Sequence, residues 1–136
     1  MRKLDGNDLS AVATSLQTRG DVVAAYCFGS QTRRAATCPR DVDIAILGRH
    51  ALDLGEILDM RRALSILLRT DKLDLVDLRR AGPALKRNIV AGGIRLFCRD
   101  DHAANGFELQ AISEYHDSAA RRRTQMQYLR EEMALA

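Results

Sequence analysis

At 136 residues with a net charge of +3, the chain is expected to form one domain over residues 1–136, burying about two-thirds of the surface it exposes when unfolded. Aliphatic residues are ample, and no Ser/Gly/Pro-rich or single-charge tract reads as a linker or disordered tail. The charge is mild, the basic residues are dispersed and no aromatic platform alternates with them, so direct nucleic-acid binding is unsupported.

Cys27, Cys38 and Cys98 are odd in number and lack zinc or CxxC spacing, which predicts reduced structural thiols in a cytoplasmic protein. The opening MRKLDGNDLS has no apolar core for a signal peptide. The longest apolar run, Val22 to Phe28, is too short to span a bilayer. No membrane partner is expected.

In chain order, Asp8 to Arg19 predicts a first helix: Asp8 is placed as N-cap, Leu9, Val12 and Leu16 share a face, and Gly20 ends it. VVAAYCF (22–28) is nearly continuous in apolar residues, as in a strand covered on both faces. Gly29-Ser30 breaks it, and Cys38-Pro39 marks extended chain. Asp41 to Leu47 predicts a second strand closed by Gly48. Leu54 to Arg69 carries Ile57, Met60, Leu64 and Leu67 at helical spacing.

Leu73 to Leu78 predicts a third strand. Gly82-Pro83 opens a short helix through Val90, and Gly92-Gly93 ends it before a fourth strand, IRLFC (94–98). From about Gly106, Ile112, Tyr115, Ala119, Met126, Leu129 and Met133 recur at spacings of three, four and seven, which predicts a long C-terminal helix. The expected fold is α+β: a small mixed sheet flanked by helices.

The chemistry centres on FGSQTRRAATCPRDVDIAIL. Side chains two apart on a strand point the same way, roughly 7 Å apart, so Asp41 and Asp43 share a face while Val42, Ile44 and Ile46 face the core. Paired carboxylates resist joint ionisation unless a cation sits between them, and Mg²⁺ takes hard oxygen ligands together with substrate phosphates. Gly29 lets backbone approach a phosphate, and N–H groups of a turn with the Ser30 hydroxyl make an anion site. In LDLVDL, Asp74 shares a face with Val76, opposite Leu73, Leu75 and Asp77. A charge inside an apolar strand is costly unless paired or metal-bound. Asp74 is therefore the third candidate acid, and Asp77 is expected to cap a turn or meet solvent.

Gly-Ser, a spacer of about ten residues, Asp-x-Asp and a later strand acid together resemble the minimal nucleotidyltransferases of the DNA-polymerase-β-like superfamily. More narrowly, the chain resembles the MntA antitoxins encoded beside HEPN-domain toxins, over nearly its whole length. The resemblance implies Asp41 and Asp43 as Mg²⁺ ligands, Gly29 and Ser30 as the grip on the nucleotide phosphates, and Asp74 as the acid that binds metal and activates the acceptor hydroxyl. Arg33 matches an arginine common in the GSxAR-type loop and is a candidate nucleotide contact. Two departures add positive charge: Arg34 where glycine is usual and Arg40 where serine is common. The implied function is that of a type VII-like antitoxin, a Mg²⁺-dependent adenylyltransferase moving AMP from ATP to a tyrosine of a cognate HEPN ribonuclease toxin, with which it forms a hetero-oligomer. The alternatives are a binding-only antitoxin that masks the toxin and a small-molecule nucleotidyltransferase.

The remaining polar features carry less. His50, His102 and His116 are scattered, and Arg95 with His102 falls at a strand end. Arg121-Arg122-Arg123 is expected to be a solvated helix face, and Tyr115 and Tyr128 are expected to pack.

Overall fold

The computed structural model describes residues 5–29 and 42–135. Its order is α1 (Gly6–Gln17), β1 (Val22–Phe28), β2 (Val42–Gly48), α2 (Leu54–Leu68), β3 (Leu73–Asp77), α3 (Pro83–Gly92), β4 (Ile94–Cys98) and α4 (Asp101–Leu135). The four strands form one mixed sheet in the order β3-β2-β1-β4. β1 runs antiparallel to both β2 and β4, while β2 and β3 are parallel. A parallel pair needs a crossover connection, and α2 supplies it.

Each face of the sheet is covered by helices. On one, Val12 and Leu16 of α1 and Met60, Leu64 and Leu68 of α2 pack with Ala25, Val42, Ile44, Ile46 and Leu73. On the other, Ile89 of α3 and Ala104 of α4, with Phe107 beside them, pack with Tyr26, Ala45, Leu47 and Leu78. The first six residues of β1 are buried, as its unbroken apolar run requires.

Two helix starts differ from the sequence expectation. α1 begins earlier, with Asp5 rather than Asp8 as N-cap. The two carboxylates form a reciprocal capping box in which Asp5 accepts from the Asp8 N–H at 2.9 Å and Asp8 from the Asp5 N–H at 3.1 Å. α4 begins at Asp101 rather than near Gly106, because the Asp100 carboxylate accepts from the Ala103 N–H at 3.1 Å and starts the helix a turn and a half sooner. Gly106 is simply carried inside. His102 accordingly lies in the first turn of α4, not at a strand end. Tyr128, expected to pack, is instead 65% exposed, whereas Tyr115 is half-buried under the Arg87 guanidinium, 5.4 Å from its ring centre.

Candidate functional site

Strand parity decides where the acids go. Val42, Ile44 and Ile46 face the α1/α2 core, so Asp43, Ala45 and Leu47 face the α3/α4 side. On β3, Leu73 and Leu75 join the α1/α2 core while Val76, and with it Asp74, faces the α3/α4 side. The parallel register then pairs Asp43 directly with Asp74. Two carboxylates thus stand side by side on strands about 4.8 Å apart, one half-buried and one exposed. They lie where β2 and β3 begin and β1 ends, the same edge of the sheet for all three strands.

Gly29 completes this edge. It follows Phe28, whose register partner across the antiparallel pair is Asp43, and it adopts φ +74°. A Cβ there would overlap Oδ2 of Asp43 and stand 3.3 Å from its Cγ. The residue must therefore be glycine for two reasons, backbone conformation and space for the Asp43 carboxylate. The second was not visible as a motif. The antiparallel return of β1 into β2, which sets Gly29 against Asp43, is the signal that carries it.

Asp77 behaves differently. It is 7% exposed and its side chain lies under the α2 entry, where Oδ2 accepts from the Leu52 N–H at 2.9 Å and Oδ1 from the Arg79 N–H at 3.0 Å. Arg80 sits 3.5 Å away as counter-charge. Of the two readings expected for Asp77, turn capping is the one observed; solvent contact is not. On β1, the Cys27 thiol is pushed up to about 11, first by burial and then by the Asp43 carboxylate, so it stays protonated at neutral pH.

Of the sequence-predicted residues, the structure brings together Gly29, Asp43 and Asp74. Ser30, Arg33 and Asp41, with the departures at Arg34 and Arg40, lie outside the described residues. Among the described residues no group of three His, Cys, Asp or Glu side chains is placed to hold a metal. The pair Asp43 and Asp74 nonetheless has the donor chemistry Mg²⁺ prefers: hard carboxylate oxygens, few in number, at a solvent-open edge where phosphate oxygens can complete the shell. Their mutual repulsion is what a cation would relieve.

The family model described as "Polymerase beta, Nucleotidyltransferase" matches residues 11–102, which include α1 from Ala11, the whole sheet and both acids. The chain belongs to this polymerase beta nucleotidyltransferase family. Solved structures extend the likeness through α4. A toxin–antitoxin structure with AMP-PNP is 26% identical, covering 93% of this chain and 98% of its own, with a TM-score of 0.74. The toxin–antitoxin MntA-HepT is 25% identical over 92% and 98%, at a TM-score of 0.73. A tri-AMPylated Shewanella oneidensis HEPN toxin in complex with MNT antitoxin is 25% identical over 90% and 96%, at 0.72. No curated protein matches the sequence significantly. The four-stranded mixed sheet with its long last helix is thus the fold of a minimal member of this nucleotidyltransferase family.

Proposed function

We propose that this protein is the cytoplasmic antitoxin of a toxin–antitoxin pair, a nucleotidyltransferase that moves AMP from ATP to a tyrosine hydroxyl of a HEPN-domain ribonuclease toxin and remains able to assemble with it. The observation that carries the reading is the register pairing of Asp43 with Asp74, opened by the missing Cβ of Gly29. Solved relatives that contain AMP-PNP or a tri-AMPylated HEPN toxin support ATP as donor and the toxin as acceptor.

In this reading Asp43 and Asp74, with Asp41 two residues ahead of Asp43 in the sequence, hold Mg²⁺. That ion supplies charge neutralisation at the α-phosphate and the departing pyrophosphate. Gly29 and Ser30 receive the phosphates, and Arg33 adds charge to the grip. Asp74 is the more exposed of the two described acids and is the one an arriving hydroxyl meets first. Its carboxylate takes the proton as the tyrosine oxygen bonds to the α-phosphorus and the bond to the bridging oxygen breaks, releasing pyrophosphate. The rigid sheet keeps these groups in place, and positioning is most of what such a transfer asks of a protein.

The test is the intact mass of the cognate toxin after incubation with this protein and MgATP. Gain of whole AMP units, lost with the Asp41→Asn/Asp43→Asn variant, is the expected result. Rescue of growth by that double variant, with no mass change, would establish masking instead. Turnover of a free small-molecule acceptor without the toxin would establish the third alternative.

A further inference from the structure

Phe28, Asp43 and Asp74 form one row across β1, β2 and β3. Gly29 lies one residue outside that row, past the end of β1, and Lys72 two residues outside it, ahead of β3. The Val42 N–H donates to the Lys72 carbonyl at 2.9 Å, the slanted bond that a parallel register with Val42 opposite Leu73 requires. The chain is therefore already extended at Lys72. Strand parity turns its side chain to the face of Asp74, roughly 7 Å further along. The Lys72 N–H in turn donates to Oγ1 of Thr70 at 3.0 Å. The backbone is thus held through both its polar groups, while the residue itself is exposed.

Among the described residues no carboxylate pairs with the Lys72 ammonium. A cation that shares a face with two acids and bonds to neither is matched by a ligand that is itself negative. A metal-bound phosphate has that character: its metal side meets the acids, and a remaining oxygen takes a compact point charge. Which phosphate follows from the row. Gly29 and Lys72 stand on opposite flanks of the acids, two strand spacings or roughly 10 Å apart, so one phosphate cannot touch both. With the phosphate tail received at Gly29, the α-phosphate over Asp43 and Asp74 is the group within reach of the flexible lysine stem.

We propose that Lys72 is a phosphate-binding residue whose ammonium takes a non-bridging oxygen of the donor's α-phosphate, from the flank opposite Gly29. This rests on the nucleotidyltransferase reading above and adds to it a contact from outside the Gly-Ser and Asp-x-Asp motifs. The lysine holds the phosphorus toward β3, the side on which the acceptor hydroxyl meets Asp74.

Titration calorimetry on the full chain, without toxin, tests it with MgATP and with magnesium pyrophosphate. Lys72→Gln should weaken MgATP binding at least ~tenfold and leave pyrophosphate binding unchanged, because only ATP carries the α-phosphate. Lys72→Arg should recover most of the loss, and neither variant should move the melting temperature. Arg62→Gln, an equal change of charge at an exposed position of α2, should leave MgATP binding as it is. Unchanged MgATP affinity in Lys72→Gln, a loss matched by Arg62→Gln, or an equal loss for pyrophosphate overturns the proposal while the nucleotidyltransferase reading stands. A wild type that binds no MgATP overturns that reading, and the proposal with it.

Discussion

Gly29 and Asp43 constrain each other at the sheet edge. The glycine's positive φ and the contact that any Cβ would make with Oδ2 of Asp43 act in the same direction. Gly29→Ala should therefore cost about 1–2 kcal/mol in backbone strain and also push the Asp43 carboxylate aside. A misplacement of about 1 Å is enough to lower transfer by roughly 100-fold, so AMP transfer should fall far more than thermal stability does. The two aspartates of LDLVDL separate by the opposite criterion. Asp74→Asn should lower transfer by at least about two orders of magnitude with little change in the melting temperature, because the side chain is exposed. Asp77→Asn weakens the buried acceptor of the Leu52 and Arg79 N–H groups and should cost on the order of 1–3 kcal/mol, with transfer per folded molecule nearly unchanged. Denaturant melts paired with transfer rates check both variants, and a reversed pattern would place the acid function on Asp77.

Elements were legible where period and punctuation agreed. The apolar run 22–28 read directly, the strand expected over 41–47 and the helix expected over 54–69 are found over 42–48 and 54–68, and the parity that sets Asp74 apart from Asp77 was legible too. Helix starts were less so. An aspartate can be the N-cap or the N3 partner of the cap, and only the reciprocal geometry of Asp5 and Asp8 tells which. Gly106 looks like a boundary but costs a helix only about 1 kcal/mol relative to alanine, less than the anchoring of α4 supplies. That anchoring was not legible, because its members are far apart in sequence. The Tyr26 hydroxyl of β1 donates to Oε1 of Glu108 on α4 at 2.6 Å, and Arg95 of β4 donates to the same oxygen at 2.7 Å. Burial and the Glu108 carboxylate push the Tyr26 hydroxyl well above its ordinary range, so it remains a donor. Glu108→Ala should cost on the order of 1–3 kcal/mol by stranding a buried hydroxyl. In the Tyr26→Phe background the same change should cost measurably less, and a double-mutant cycle on urea midpoints reads that coupling. Additive losses would mean that the Tyr26–Glu108 contact contributes nothing.

At the scale of the whole molecule, β1 lies inside the sheet and, like β2, gives side chains to both cores, so its interior is exposed to water only when the sheet comes apart. Cys27 lies in that strand, 2% exposed, and its ionisation is therefore coupled to global unfolding. Its thiol titrates near 9 when free in the unfolded chain and near 11 in the fold, raised by burial and then by Asp43. Below about pH 9 both states hold the proton and stability is unaffected. Between about 9 and 11 only the unfolded chain releases it, so the unfolded state gains and stability falls as pH rises. The loss should reach on the order of 1–2 kcal/mol by pH 11. Tyr26, also shifted upward, adds to the decline above about pH 10 in the same direction. Equilibrium urea unfolding at pH 8, 9, 10 and 11 isolates the thiol when the wild type is compared with Cys27→Ala: the variant starts lower because of its cavity, and the gap should narrow as pH rises through this window. Asp43→Asn should leave the onset of the decline unchanged and make the total loss smaller, because without the neighbouring negative charge the folded thiol is raised less and the decline levels off at lower pH. A gap that stays constant from pH 8 to 11 would show that the thiol is not held protonated by the fold.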